Sequence, residues 1–304
     1  MKKLFVFALP IVIAISTMAQ AQSCIGSKID GIKGLSGTRQ LDDGTLLGRA
    51  KANVNIDGYG RAYHPQNAAA GALIHLCNAG EVYLPNGTSY HGSESNKTCT
   101  GKFMTDFAAI KKAGWTDPKV GSIKWYGILG EGSAKIAGTT ISSVVPVELA
   151  DGSGFFVSPT TFADRRISDA RRQDRYVDPL KVRAAVVPNQ KALRDAGVKM
   201  GSFGVAYDPR AGKAVPFVVG DIGPKVGEAT PKLLRDMAGL PHKDPITRAE
   251  RFDGQVSDAR ILWVLFGSAR GTVAYDASDP AAANTAAEAA FKDWGGISRL
   301  KTCL

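Results

Sequence analysis

From residue 51 onward the chain breaks into short apolar runs, each closed by a turn cluster. No run is followed by the regular strand–helix alternation that a parallel α/β fold needs. The runs "ANVNID" (52–57), "VVPVEL" (144–149), "GFFVSP" (154–159), "RAAVVP" (183–188), "FGVAYD" (203–208), "AVPFVVGD" (214–221) and "RILWVLFG" (260–267) are rich in Val and Phe and bounded by Gly, Pro, Asn or Asp. This pattern predicts strands, with a hairpin loop where Asp208, Pro209 and Gly212 fall together. Helices are fewer. "KFMTDFAAIKKAG" sets Phe103, Phe107 and Ile110 on one face and stops at Gly114. "TPKLLRDMAG" offers Thr230 as N-cap, Pro231 at the first helical position and Gly239 past the end. "DPAAANTAAEAAFKDWGG" (279–296) has the same punctuation. Strands outnumber helices, which predicts a mainly β protein: a barrel or sandwich with helices packed outside it.

The first residues read as an export signal. Lys2 and Lys3 precede an apolar run from Leu4 to Ile15, and an Ala-x-Ala end places cleavage after Ala21. That run is short for a span of about 20 residues, and no second apolar stretch resembles a membrane helix, so the chain is expected outside the cytoplasm, secreted or periplasmic. Residues 22–50, rich in Gly, Ser and Lys, read as a loosely structured lead-in, followed by one domain over 51–304. Cys24, Cys77, Cys99 and Cys303 form an even set, which in an exported chain predicts two disulfides. Three pairings are possible; Cys77–Cys99 as a local staple and Cys24–Cys303 as a clasp between the termini are favoured. Neither the cysteines nor His75, His91 and His242 have zinc-ligand spacing, and no phosphate loop or nucleotide fingerprint occurs, so no metal or cofactor is expected.

The formal charge is +10, or about +8 without the leader and its two lysines. Such a balance favours anionic partners. The densest basic stretch, "DRRISDARRQDRY" (164–176), is interleaved with acids, however, and predicts a solvated face, not a nucleic-acid site.

The chemistry concentrates in "AVPFVVGDIGPKVGEAT" (214–230). An apolar strand breaks at Gly220 and delivers Asp221 and Glu228 on a loop stiffened by Gly223, Pro224 and Gly227, just before the Thr230 cap. Two carboxylates at a constrained cleft edge are what glycoside hydrolysis requires, one to protonate the leaving oxygen and one to activate water or attack. The alternative is a turn acid and a helix-N-terminal acid. Seven residues of extended chain reach about 23 Å, so spacing alone leaves the carboxyl separation open.

"VVGDIGPKVGEAT" resembles the active-site segment of the glycoside hydrolase family 75 chitosanases. "NVNIDGYGRAYHP" (53–65), "FFVSPTTFAD" with "RYVDPLKVRAAVVP" (155–188) and "ILWVLFGSA" (262–269) are similar to other segments of that family, in the same order. The resemblance spans roughly residues 50–270 and departs in one respect: the early family motif often carries a cysteine that "NIDGYG" lacks. It implies a six-stranded double-psi-like β-barrel with peripheral helices and endo-acting, inverting cleavage of chitosan. Asp221 and Glu228 become the catalytic pair, with Asp221 as general acid and Glu228 as base, an assignment that could be reversed. Asp57, Tyr63, His64, Tyr176 and Asp178 become candidate saccharide contacts; each also has a plain reading as a turn, packing or surface residue. The implied partner is a glucosamine-containing polysaccharide bound by a monomer, without nucleic acid or a membrane span. Chitosan is itself a cation, so the basic chain keeps open partly N-acetylated polymers, including peptidoglycan. A lytic transglycosylase-like enzyme using one acid, and a non-catalytic wall-binding barrel, are the rival readings.

Overall fold

The computed structural model describes residues 24–94 and 101–304. The first strands are β1 (Gly26–Lys28), β2 (Ser36–Leu41) and β3 (Leu46–Val54). An excursion follows: β4 (Gly80–Tyr83), β5 (Ser89–His91), helix α1 (Phe103–Lys112), β6 (Ser122–Trp125), β7 (Gly130–Ile136) and β8 (Thr139–Pro146). The chain then returns through β9 (Ala184–Pro188), α2 (Lys191–Asp195), β10 (Phe203–Asp208), β11 (Lys213–Gly223) and β12 (Glu228–Ala229). It finishes with α3 (Pro231–Ala238), β13 (Val256–Leu265), α4 (Pro280–Trp294) and α5 (Gly296–Thr302).

Six strands close a barrel in the order β3, β12, β9, β11, β10, β13, with β13 pairing back onto β3. The β3–β12 and β9–β11 pairs are parallel and the others antiparallel. A six-stranded ring leaves little interior space, and the inward positions match it: Ala50, Ala52, Ala185, Ala206 and Ala229 leave room for Phe217 and Trp263. Leu233, Leu234 and Met237 of α3 join this interior core. Thr230 caps α3, its hydroxyl accepting from the Leu233 amide, and Gly239 ends it at φ 72°. Alternate residues of the same strands face outward, where Val205, Val218, Leu262 and Val264 pack with Ala283, Ala287 and Trp294 of α4. The protein is thus mainly β, a closed six-stranded barrel with peripheral helices.

The excursion between β3 and β9 has its own core of Leu76, Phe103, Phe107, Ile123, Trp125 and Phe156, with a three-stranded sheet β5–β4–β6 and the β7–β8 hairpin beside it. Its entry and exit segments, near residues 55–63 and 158–162, lie against the barrel wall.

The segment read as a loose lead-in is instead ordered. It contains β1, β2 and most of β3, so a boundary at residue 51 cuts a barrel strand. The polar and glycine content of 22–50 reflects β1 and β2, which carry exposed residues, and the alternation Leu46, Ala50, Ala52 continues into the barrel interior. "GFFVSP" is no strand; its only ladder contact is the bridge between Glu148 and Phe156. Its residues are apolar because they are buried, with Phe155, Phe156 and Val157 at most 4% exposed. The basic stretch at 164–176 is held by its own ion pairs, Arg166 with Asp164 and Asp276, Arg171 with Glu131 and Arg172 with Asp174.

Cys24 and Cys303 are joined by a disulfide that links positions 279 apart in sequence. The expected Cys77–Cys99 pair involves Cys99, which lies outside the described residues, as does the leader. Among the described residues no helix is long and apolar enough to cross a membrane.

Candidate functional site

Strand register brings Asp221 and Glu228 together. Asp221 pairs with Val186 of β9. Ala229 pairs with Ala185 of the same strand from its other edge, which sets Glu228 opposite Val186. Glu228 also pairs with Asn53 of β3. Residues opposite one another in a sheet project from the same face, so Asn53, Glu228, Val186 and Asp221 form one row across four strands. The face is the outer one, because the alternate residues Ala52, Ala185, Val219 and Ala229 fill the interior. With about 4.8 Å between strands, the α-carbons of the two acids lie about 10 Å apart.

This row depends on an irregularity. Val219 pairs with Ala185 and Asp221 with Val186, so Gly220 is an extra residue in β11. Without that bulge, alternation would turn Asp221 inward beside Val219. A Cβ on Gly220 would sit 2.6 Å from the Ala184 Cβ, which leaves room only for glycine.

Asp221 is held firmly. Its Oδ1 accepts from the Thr161 hydroxyl at 2.6 Å, the Thr161 amide at 2.9 Å and the Ile222 amide at 2.8 Å. Burial raises its pKa, and the three donors work against that rise. Burial also raises Glu228, opposed by a hydrogen bond from the Asn55 side chain and by the charges of Lys225 and Lys51; Asp221 adds a like charge.

A third acid completes the group. Asp57 lies on the segment leaving β3, where its amide donates to Asn55 Oδ1 at 2.9 Å. Its Oδ1 accepts from the Tyr63 hydroxyl at 3.0 Å and its Oδ2 from Asn55 Nδ2 at 3.3 Å. Burial, then the facing charge of Asp221, push its pKa up to about 7, with Glu228 adding to the rise and the Tyr63 and Asn55 hydrogen bonds opposing it. Burial and the same Asp57 carboxylate push the Tyr63 phenol well above its usual range. Asn55, Asp57, Thr160, Gly220, Asp221 and Thr230 line one small pocket. The two loops that carry Asp57 and Thr161 are tied together by Gln173, whose Nε2 donates to the carbonyls of Gly58 at 2.7 Å and Ser158 at 2.9 Å. An open groove of about 570 Å³ starts at Thr161 and runs past Phe162, Arg165, Met200 and Tyr275. A wider groove, about 710 Å³, lies between β8 and residues 171–174 and contains none of the three acids.

The remaining expected contacts belong to the framework. Tyr63 meets Asp57 through its hydroxyl, but its ring is 5% exposed and offers no face for a sugar to stack on. His64 is buried against Phe155, with ring centroids 4.9 Å apart, and its Nδ1 accepts from the Gln66 amide. Burial lowers its pKa. Tyr176 is buried and donates its hydroxyl to the Ala170 carbonyl at 2.7 Å, closing the arginine-rich loop. Asp178 caps a turn at the Leu180 amide, 2.9 Å away, and pairs with Lys181 at 3.0 Å. None of these last three lines the pocket of Asp57 and Asp221. Sequence reading missed Asn55 and Thr161. Both sit inside segments that drew notice, "NID" and "SPTTF", but are of common types, and only the folded contacts mark them.

No family model matches the chain, and no curated protein matches it.

Proposed function

We propose that the chain is an exported endo-glycosidase that hydrolyses β-1,4 linkages in chitosan or partly N-acetylated glucosamine polysaccharide, with inversion, using Asp221 and Glu228. The observation that carries this reading is the row across β11, β9 and β12. It puts two acids seven residues apart in sequence onto one outer face, two strand spacings apart. Parallel side chains on such a row keep their carboxyls nearer the 6.5–9.5 Å typical of inverting pairs than the roughly 5 Å of retaining ones, which leaves space for a water. The hydrogen bonds suit the two roles. All three donors to Asp221 fall on Oδ1, so Oδ2 is left to carry the proton that goes to the leaving oxygen. Asn55, Lys51 and Lys225 favour the ionised form of Glu228, as a base that takes a proton from water requires. The Cys24–Cys303 disulfide fits an oxidising compartment.

The lysines beside Glu228 also favour a second substrate reading. A fully deacetylated polymer is cationic and is repelled there; an N-acetylated or anionic amino-sugar chain such as peptidoglycan is not. One experiment addresses both. Reducing ends are measured on chitosans of graded acetylation beside purified peptidoglycan, with Asp221→Asn and Glu228→Gln as variants. Loss of a working acid or base costs about 10²–10⁴-fold in rate, so both variants should fall by at least two orders of magnitude. Glu228→Gln retaining activity with anhydro products indicates the one-acid lytic route. Binding without product from the unmodified protein indicates a wall-binding barrel.

A further inference from the structure

Away from the row of acids, one concavity is lined by cations and hydroxyls and by no carboxylate. The turn after α2 passes through Gly197, at φ 74°, where a Cβ would sit 2.7 Å from the Ser268 Cβ. Glycine there lets this turn close onto the loop that follows β13. Two backbone links fix the contact: the Ser268 amide donates to the Ala196 carbonyl at 3.0 Å, and the Val273 amide to the Gly201 carbonyl at 3.0 Å. Between turn and loop lies a pocket of about 280 Å³. Its polar side chains are Arg194 and Lys199 from the turn and Ser268 and Thr272 from the loop, all four exposed; Val198 and two glycines complete the wall.

The two positive charges are uncompensated. Arg194 donates to the neutral side-chain oxygen of Asn189, and among the described residues neither Arg194 nor Lys199 has an acid partner. The adjoining acid, Asp195, lies outside the pocket lining and pairs with Lys191 at 2.6 Å. The carbonyls that end α2 would repel an anion, but they are already taken: Ala192 accepts from the Ala196 amide, Leu193 from Val198 and Arg194 from Gly197. The Ser268 and Thr272 hydroxyls have no protein partner among the described residues. We propose that this pocket binds an oxyanion of the phosphate type, free or carried on a polymer. Two cations held in one concavity repel each other, and a bound anion replaces that repulsion with charge-assisted hydrogen bonds. Donors from two walls suit a tetrahedral group with several acceptor oxygens better than a planar carboxylate with two. The volume is below the roughly 300–1,000 Å³ of sites for drug-sized ligands, which fits one phosphate group or one substituent of a longer chain. The pocket shares no residue with that of Asp57 and Asp221, so the proposal is independent of the glycosidase reading.

Amide NMR titration of the full protein tests this without depending on activity, at constant ionic strength, with inorganic phosphate, a glycerol phosphate polymer and acetate as probes. Phosphate should give saturable shifts at Gly197, Lys199, Ser268 and Thr272 with a Kd of about 1–10 mM. Arg194→Gln and Lys199→Gln should each weaken binding about three- to fivefold, as expected for exposed charge pairs, and the double variant by about tenfold or more. All these side chains are exposed, so the fold is not at stake. Lys191→Gln makes the same charge change on α2 outside the pocket and should leave the Kd within about twofold. Tighter binding of the polymer, per phosphate group, assigns the site to a phosphate-bearing chain; tighter binding of the free ion assigns it to phosphate itself, and either order supports the site. No saturable shift up to about 50 mM phosphate overturns the proposal. So does equal weakening by Lys191→Gln and Lys199→Gln, which marks diffuse charge and no site. Acetate binding as tightly as phosphate overturns the assignment to a phosphate-type anion.

Discussion

The side chains that matter most are neutral. Thr161 has no charge to signal a role, yet its amide and hydroxyl supply two of the three hydrogen bonds to Asp221 Oδ1. Both favour the ionised carboxylate. Removing the hydroxyl in Thr161→Val should therefore raise the Asp221 pKa beyond the rise that burial already imposes. The sign has two consequences. The group holds its proton to higher pH, so the alkaline limb of activity moves up. A carboxyl whose folded pKa lies above its unfolded value contributes stability that is present at low pH and lost as pH rises through the folded pKa. Thr161→Val should deepen that loss, and urea unfolding should show a larger destabilisation at pH 8 than at pH 5. Equal loss at both pH values would mean that Thr161 only packs. The acids themselves were legible in "GDIGPKVGEAT" as residue types on a constrained loop. Asn55 and Thr161 were not, because an amide and a hydroxyl acquire their roles only from what folding places beside them.

At the level of the strand, the site is a bulge. β10 and β11 were readable almost residue for residue, because their apolar runs are buried on both faces and closed by turn residues at each end. Gly220 was visible as a break in an apolar run, the usual mark of a bulge or of close backbone approach. Its consequence was not, since the separation of Asp221 from Glu228 is set by β9, a partner strand some 35 positions earlier in the chain. The same limit explains "GFFVSP": burial in a second core gives it the composition of a strand, while its backbone bonds to Val147 and Leu149 amount to a single bridge and no ladder. It also explains why the start of β3 escapes the sequence: its first half is buried on both faces, with Leu46 in the interior and Leu47 outside, but Gly48 and Arg49 interrupt the apolar run, and Gly48 is there because a Cβ would meet the Leu35 side chain at 3.0 Å. The bulge makes a definite prediction. Gly220→Ala places a methyl 2.6 Å from the Ala184 Cβ. The wall at Ala184 and Thr230 is closely packed, so relief requires β11 to shift against β9, at a cost of about 1–3 kcal/mol in urea unfolding. Because Asp221 is the next residue, activity should drop by at least about tenfold even where the protein remains folded, in keeping with the sensitivity of catalysis to ångström displacements. Gly212→Ala in the β10–β11 turn, where a Cβ meets nothing within 4 Å but φ is 63°, serves as the control: a loss of about 1 kcal/mol, with activity retained.

Across the whole molecule, stability and chemistry are placed on different stretches of the barrel's outer face. The excursion between β3 and β9 meets the row of acids at Asp221, through Thr161, whereas α4 and α5 pack on the wall near β10, β11 and β13. The Cys24–Cys303 bond belongs with the helices: both cysteines pack into the α4–α5 core, and Arg39 donates to the Cys303 carbonyl from β2. That bond closes a loop of 279 positions, nearly the whole described chain, so it restricts the unfolded chain far more than it shapes the folded one. Loss of a native disulfide of this kind costs about 2–5 kcal/mol. The double variant Cys24→Ala with Cys303→Ala should therefore unfold at clearly lower urea concentration. At 25 °C, while it stays folded, its kcat/KM and the titration of Asp57 should equal those of the unmodified protein, because neither cysteine packs with Asp57, Asp221 or Glu228. A disturbed titration in the folded double variant would mean that the ends of the chain hold the catalytic row in register, and that the wall does not insulate one stretch of its outer face from another.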